Sequence, residues 1–320
     1  MIAEKNSVTV TIPQRISGFF EIVDNPKINM KGIQREEKIG SRGAGFNLTA
    51  FGKTTIKYEK LNDSMVSECS IFINGDQLDQ SAETTYYIFD NIKSFFNYPF
   101  KITIHHKFDL PVGCGYGASG AGALGTIFGF NKLLNLGLSK KECSRTAHIA
   151  EVVNKTGLGT VCGQLQGGLC VLEEPGFPCM SHRIKIPKDL KVICGTFGPI
   201  KTKSILSDPD LNLRIKKAGQ NAMKILNQTP NISTFMKVSK EFVYKTEIMD
   251  ILKLYETKEL ITQLDGLNTY GASMNQLGRS VYCVCNHEEK REVLEIFESY
   301  KPKIKTFIFE INENEPIKFL

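Results

Sequence analysis

The stretch LPVGCGYGASGAGALG, Leu110 to Gly125, places glycine at positions 113, 115, 117, 120, 122 and 125. Glycine costs about 1 kcal/mol relative to alanine inside a helix, so a run this dense needs a physical reason. Bare backbone supplies one. Consecutive exposed N–H groups at a helix N-terminus, with the helix dipole behind them, form an anion site that side chains would block. The segment SGAGALGTIFGFNKLLNLG is helical in pattern despite its glycines. Gly122, Gly125 and Gly129 fall on one face of it, so this helix can press its backbone against a neighbour or a ligand.

Two common phosphate loops do not fit. Gly115, Gly117 and Gly120 satisfy G-x-G-x-x-G, but the dinucleotide fingerprint needs a strand running into the first glycine and a second strand ending in an acidic residue about 20 positions on. Here Asp109-Leu110-Pro111 intervenes, and the next element reads as another helix. A Walker A loop needs Lys-Ser or Lys-Thr after its glycines, and none follows.

The rest of the chain mixes strands and helices. SVTVTIP alternates with period two and ends at Pro13, and FNLTAFGKTTIKYEK reads as two extended runs separated by Gly52. TTYYIFDNIKSFFNY has helical spacing and stops before Pro99, after which FKITIHHKF alternates as a strand. Ser139 and Glu142 form a capping box for the helix that Gly157 ends. TGLGTVCGQLQGGLCVLEEP then gives a turn, a short helix and a strand. Past Pro175, LKVICGTF and RSVYCVCN read as strands, with helices around 211–226, 232–255 and 288–300. With 320 residues and 41% hydrophobic content, the chain is long enough for two lobes.

The net charge of +6 is spread along the chain without a basic run, which argues against nucleic acid and for an anionic small molecule. No apolar run reaches the roughly 18 to 20 residues of a membrane span, and MIAEKNSVTVTIP lacks an apolar signal region. Of nine cysteines, Cys143, Cys162, Cys170, Cys194, Cys283 and Cys285 sit in apolar stretches, with no C-x-x-C or paired His/Cys set. They read as buried small hydrophobes in a cytoplasmic protein, not as disulfides or zinc ligands.

PVGCGYGASGAGA resembles the P-x-G-x-G-x-G-S-S-A-A motif of the GHMP kinases, the superfamily of galactokinase, homoserine kinase, mevalonate kinase and phosphomevalonate kinase. IPQRISGFFEI is similar to the family's N-terminal substrate motif, TGLGTVCGQLQGG to its loop before a Gly-Gly strand, and YGASMNQLGRSVYCVC to its C-terminal glycine loop and strand. The combination of SGFF, GSRGAG, TGLG and GASMNQLG is most similar to the archaeal pantoate kinases. This resemblance implies an α+β, two-lobed fold. Residues 1–174 would form an N-terminal α/β lobe (ribosomal protein S5 domain 2-like, with a left-handed β-α-β unit), and residues 175–320 a ferredoxin-like C-terminal lobe, with ATP between them.

By the same resemblance, Pro111, Gly113, Cys114, Gly115, Tyr116, Gly117, Ala118, Ser119, Gly120 and Ala121 bind ATP, while Ser119 and Glu151 hold Mg²⁺ through hard oxygen atoms. Ser119 also suits a helix N-cap, and His148, on the same face as Glu151, reads as structural. Arg15 meets the transferred phosphoryl group or the acceptor. Arg42 forks onto the acceptor's carboxylate, and Ser17, Gly18, Gly43 and Ala44 contact its hydroxyls. Where several relatives carry a catalytic aspartate this chain has Thr160, which orients the acceptor hydroxyl or caps the short helix. Where relatives show a glycine loop, Gly271 to Asn275 reads GASMN, better suited to a wall that encloses the substrate. The implied activity is phosphorylation of a small hydroxy acid, pantoate, for coenzyme A synthesis, by a homodimer. A homoserine- or mevalonate-like acceptor, or a non-catalytic nucleotide-binding regulator, are the alternatives.

Overall fold

A computed structural model describes residues 6–24, 32–61, 66–200 and 208–320. The first half runs β1 (Ser7–Val23), α1 (Ile33–Lys38), β2 (Gly40–Lys60), β3 (Glu68–Ile73), β4 (Asp76–Gln77), α2 (Glu83–Lys93), β5 (Phe100–Phe108), α3 (Ala118–Leu133), α4 (Lys140–Asn154), α5 (Thr160–Gln166) and β6 (Leu169–Leu172). The second runs β7 (Ser181–Ile184), β8 (Lys191–Thr196), α6 (Pro209–Gln228), α7 (Ile232–Thr246), α8 (Ile248–Ile251), α9 (Tyr255–Leu264), β9 (Gly271–Met274), β10 (Ser280–Cys285), α10 (Lys290–Glu298), β11 (Lys305–Glu310) and β12 (Lys318–Phe319).

The fold is α+β, with two sheets. The first has the order β12-β1-β2-β5-β3-β4, with β6 pairing β2 and β7 pairing β6; β3 and β5 are parallel and every other pair is antiparallel. It recruits β7 and β12 from beyond residue 174. The second has the order β11-β8-β10-β9, all antiparallel. Counted within this sheet, its strands lie 4-1-3-2 with helices after the first and third, the ferredoxin-like arrangement.

Three local readings need correction. β1 does not end at Pro13 but runs on to Val23, because its register against β2 shifts between Pro13 and Arg15 and a bulge absorbs the missing N–H. β2 is one strand of 21 residues, not two. Gly52 marks a close approach within it: a Cβ there would lie 2.7 Å from the Phe108 ring. Cys162 is not a free thiol, since the turn after β6 brings Cys179 to a Cα separation of 5.1 Å and the two form a disulfide. The other seven cysteines are free, and all but Cys69 are buried.

The glycine face of α3 meets the sheet. A Cβ on Gly125 would stand 2.3 Å from Thr54 Oγ1 and one on Gly129 2.7 Å from Ile56 Cδ1, while Gly122 lies over the His106 ring. The helix penalty of these glycines is thus offset by close packing of backbone on β2 and β5. α2 and α4 flank α3, enclosing a core that includes Ile12, Ile56, Ile104, Leu124 and Ile127. A second core joins the two sheets through Phe46, whose ring meets Phe235 and Tyr282 edge-on at 5.8 and 5.7 Å.

Candidate active site

The bulge in β1 sets the start of the glycine loop. Gln14 Nε2 donates to Leu110 O (3.3 Å), and its Oε1 accepts from Leu110 N (2.8 Å), so one buried amide holds the loop at its first residue. Gly113, Gly115 and Gly117 then take φ angles of 76°, 86° and 69°, where a side chain would be strained. Gly117 is the N-cap of α3, and no side chain caps the helix's first N–H groups. Ser119 therefore lies in the first turn and is not itself the cap. Gln164 of α5 braces the loop from beneath, donating to Pro13 O and Gly117 O at 2.9 Å each.

This loop borders a cavity of about 430 Å³, within the size range of small-molecule sites. Of the residues singled out in the sequence, Arg15, Ser17, Gly43, Ala44, Gly113, Gly115, Tyr116, Gly117, Ala118, Ser119 and Thr160 line it. Glu151 stands immediately behind Ser119, whose Oγ donates to Glu151 Oε1 at 2.7 Å. The α4 capping box of Ser139 and Glu142 is formed as the sequence predicts, and it fixes the start of the helix that carries Glu151. A Cβ on Gly157 would reach 2.5 Å from the Glu151 carboxylate, so only bare backbone fits over it.

Glu151 is 1% exposed, and among the described residues its Oε2 has no hydrogen-bond partner. Burial pushes its pKa up to about 7, against the opposing pull of the Ser119 hydrogen bond. A buried carboxylate oxygen without a partner, beside a serine hydroxyl, is the oxygen chemistry that a magnesium ion takes while retaining waters and phosphate ligands. The two residues therefore fit the ion.

Arg15 also lines the cavity and is 3% exposed. Its backbone N donates to Tyr116 O (3.1 Å), and its Nη1 points at Cys170 Sγ, 3.7 Å away. Its Nε has no partner, and it makes no ion pair among the described residues. The guanidinium lies flat on Gly163 of α5, where a Cβ would fall 1.4 Å from Nη1. A buried guanidinium is costly unless an anion answers it, which marks this as a place for a ligand's negative charge. Thr160 borders the same space, its methyl 2.9 Å from the position of a Gly117 Cβ. It does not cap α5, whose N-cap is Gly159.

Other sequence candidates lie elsewhere. Strand alternation turns Arg42 to the face opposite Ser41 and Gly43, where its Nε donates to Glu21 Oε2 at 2.8 Å. Gln220 occupies the other Glu21 oxygen. Arg42 therefore already has its carboxylate and does not line the cavity. Gly18 is pressed against α7, with a Cβ position 2.2 Å from Ser239 Oγ. Pro111, Cys114, Gly120 and Ala121 support the loop from outside the cavity: Cys114 O accepts from Ser280 Oγ (2.8 Å), and Gly120 packs on Gln164. His148 is structural, its Nε2 held by Ile39 O at 3.0 Å.

Several lining residues were not found from the sequence. Lys155 is the αL C-cap of α4; an asparagine-lysine pair at a helix end was a readable signal. GASM forms β9 rather than a loop, and the wall comes from the next residues, Gln276 and Leu277. Asn275 Oδ1 accepts from Ser17 N, and Gln276 N donates to Ser17 O, both at 3.0 Å, which ties this wall to β1. Phe20, Ser41, Leu158 and Leu172 complete the far end, from elements that no local pattern connects.

Comparison with known proteins agrees with this geometry. Residues 83–168, from α2 through the glycine loop to the start of β6, match the GHMP kinases N terminal domain. Pantoate kinase of Methanocaldococcus jannaschii is 28% identical over 90% of this chain and 96% of its own length. That of Methanospirillum hungatei is 30% identical over 89% of this chain and 90% of its own. A solved structure described as a phosphotransferase related to CoA biosynthesis pathway superposes with a TM-score of 0.84 and 26% identity, covering 98% of both chains.

Proposed function

The chain belongs to the GHMP kinases, a family of ATP-dependent phosphotransferases, and from that premise we propose that its acceptor is the primary hydroxyl of pantoate. The observation that carries the kinase chemistry is the Ser119–Glu151 pair at a cavity that is also lined by a buried Arg15 without an ion partner among the described residues. The acceptor rests on similarity to pantoate kinases that extends over about 90% of the chain.

In this reading the triphosphate lies along the N–H groups of the glycine loop and the first turn of α3. Ser119 and Glu151 would hold magnesium, which supplies charge neutralisation to the phosphates. The acceptor oxygen bonds to the γ-phosphorus as the bond from phosphorus to the β,γ-bridging oxygen breaks, giving ADP and 4-phosphopantoate. Arg15 stabilises the transferred phosphoryl group, and Lys155 adds a second positive charge on the wall. The Ser17 and Ser41 hydroxyls remain for the acceptor's polar groups, since Arg42 is engaged with Glu21.

Among the described residues that line the cavity none is an aspartate, glutamate or histidine, so the acceptor proton passes to a phosphate oxygen or to water. A loose transition state permits this because the nucleophile need not lose its proton first. Seven free cysteines suit a cytoplasmic location. A homodimer belongs to the same proposal and is checked by light scattering.

ADP release measured with pantoate, homoserine and mevalonate as acceptors tests the function. Pantoate is expected to give the highest kcat/KM. A higher value with another acceptor would reassign the substrate, and no acceptor-dependent ADP release with any of them would leave a nucleotide-binding regulator.

A further inference from the structure

The far end of the cavity has a chemistry of its own. In the sheet register Phe20, Gly43 and Leu172 lie side by side on β1, β2 and β6. The central residue of this row has no side chain, and β1 packs so closely on it that a Cβ would lie 2.3 Å from Phe19 O; all three residues line the cavity, with an apolar side chain on each side of Gly43. Leu158 closes a third side: its carbonyl accepts from Ser41 N at 3.1 Å, which fixes the 157–159 loop to β2. Gly159 packs onto the same corner, a Cβ there lying 3.1 Å from Leu172 Cδ1. Leu172 is 5% exposed, and the Phe20 ring is braced by Phe242 at 5.7 Å, so the walls are held in place. Among the described residues, Ser41 offers the hydroxyl of this hollow, and no cation lines it.

Such a hollow rewards a compact, branched hydrocarbon group and offers nothing to a second charge. We infer that the hollow over Gly43, walled by Phe20, Leu158 and Leu172, is a specificity subsite for a quaternary, dimethyl-bearing carbon of the acceptor. This rests on the pantoate reading, because pantoate carries two methyl groups on the carbon next to the one bearing its primary hydroxyl. The subsite would discriminate against straight-chain hydroxy acids that have the same carboxylate and hydroxyls.

The test compares pantoate with 2,4-dihydroxybutanoate, the same molecule without its methyl groups, on the wild-type chain. A methylene-sized difference in an apolar pocket changes kcat/KM by roughly 10- to 200-fold, so pantoate should lead by at least about 10-fold. Leu172→Ala and, separately, the half-buried Leu158→Ala should each narrow that ratio by raising KM for pantoate while leaving KM for ATP unchanged. Having two variants guards against one that folds poorly. Equal kcat/KM for the two acids on the wild type would overturn the subsite and leave the pantoate reading standing. A ratio unmoved by both variants would also overturn it. Turnover of neither acid, with ATP used on another acceptor, would overturn both.

Discussion

At the end of the cavity bordered by the glycine loop, a ligand meets mainly backbone: the N–H groups of a loop whose three glycines have positive φ, and the uncapped first turn of α3. At the end over Gly43 it meets side chains from β1, β2, β6 and the 157–159 loop. Backbone donors serve any polyanion with phosphate spacing and are set by local conformation. Side-chain walls discriminate between acceptors, and they exist only when distant segments arrive in register. Arg15 and Thr160 lie where the two ends meet. One fold can therefore keep its phosphate chemistry while its acceptor end diverges.

The largest effect is expected at the charges that the proposed kinase chemistry assigns to the phosphates. Glu151→Gln should lower kcat/KM about 10³-fold at fixed magnesium, because it replaces the carboxylate by a neutral amide and leaves no anionic oxygen beside Ser119; ADP release measures this. Next is the junction. Gly163→Ala places a methyl group where Arg15 lies and should lower kcat about 10²-fold, as should Arg15→Met, with KM for pantoate changing less in both. A Gly163→Ala enzyme of normal kcat would show that the guanidinium has no fixed role.

The floor beneath the glycine end should show a pH signature. His106 is buried under α3, with Thr54 Oγ1 on Nδ1 (2.9 Å) and Thr85 Oγ1 on Nε2 (3.0 Å). Burial, with His105 nearby, lowers its pKa from 6.5 to about 4. A depressed histidine means that the unfolded chain takes up the proton first. Stability is therefore full above pH 6.5 and falls as the pH drops toward 4, by about 3 kcal/mol in all. Denaturant titrations from pH 7.5 to 4.5 should show this loss, and His106→Gln should flatten it.

The smallest effect on activity is expected at Arg42. Arg42→Met should change KM for pantoate less than about threefold while costing about 1 to 3 kcal/mol of stability, because Glu21 loses its ion partner in a buried setting. A KM raised tenfold or more would restore Arg42 as the carboxylate's partner and weaken the contrast between the two ends.

Much of the glycine end was legible because its causes are contiguous. Glycines at alternating positions followed by a helical run require positive φ and close backbone approach, whichever partners surround them, and the α4 capping box is equally local. Pro13 shows where such reading stops. A proline predicts the end of a strand, yet β1 passes through it because a bulge, made possible by Gln14 reaching Leu110, lies 96 residues from its partner in sequence. Arg42 is similar: its residue type suits a carboxylate, but only the pairing of β1 with β2 reveals that Glu21 already supplies one.

From the sequence alone one could determine the anion-directed glycine loop, the helix that follows it and the capping box of α4, because each depends on residue type and short-range spacing, whereas the pairing of Ser119 with Glu151 was implied only by the family resemblance. The tertiary structure alone decided which face of β2 each residue presents, which cysteine found a partner, and that Phe20, Gly43 and Leu172 stand in one row. These depend on strand register and bulges, where a slip of one residue exchanges the two faces of the sheet. Register is set by the packing of whole elements, so no short segment carries it.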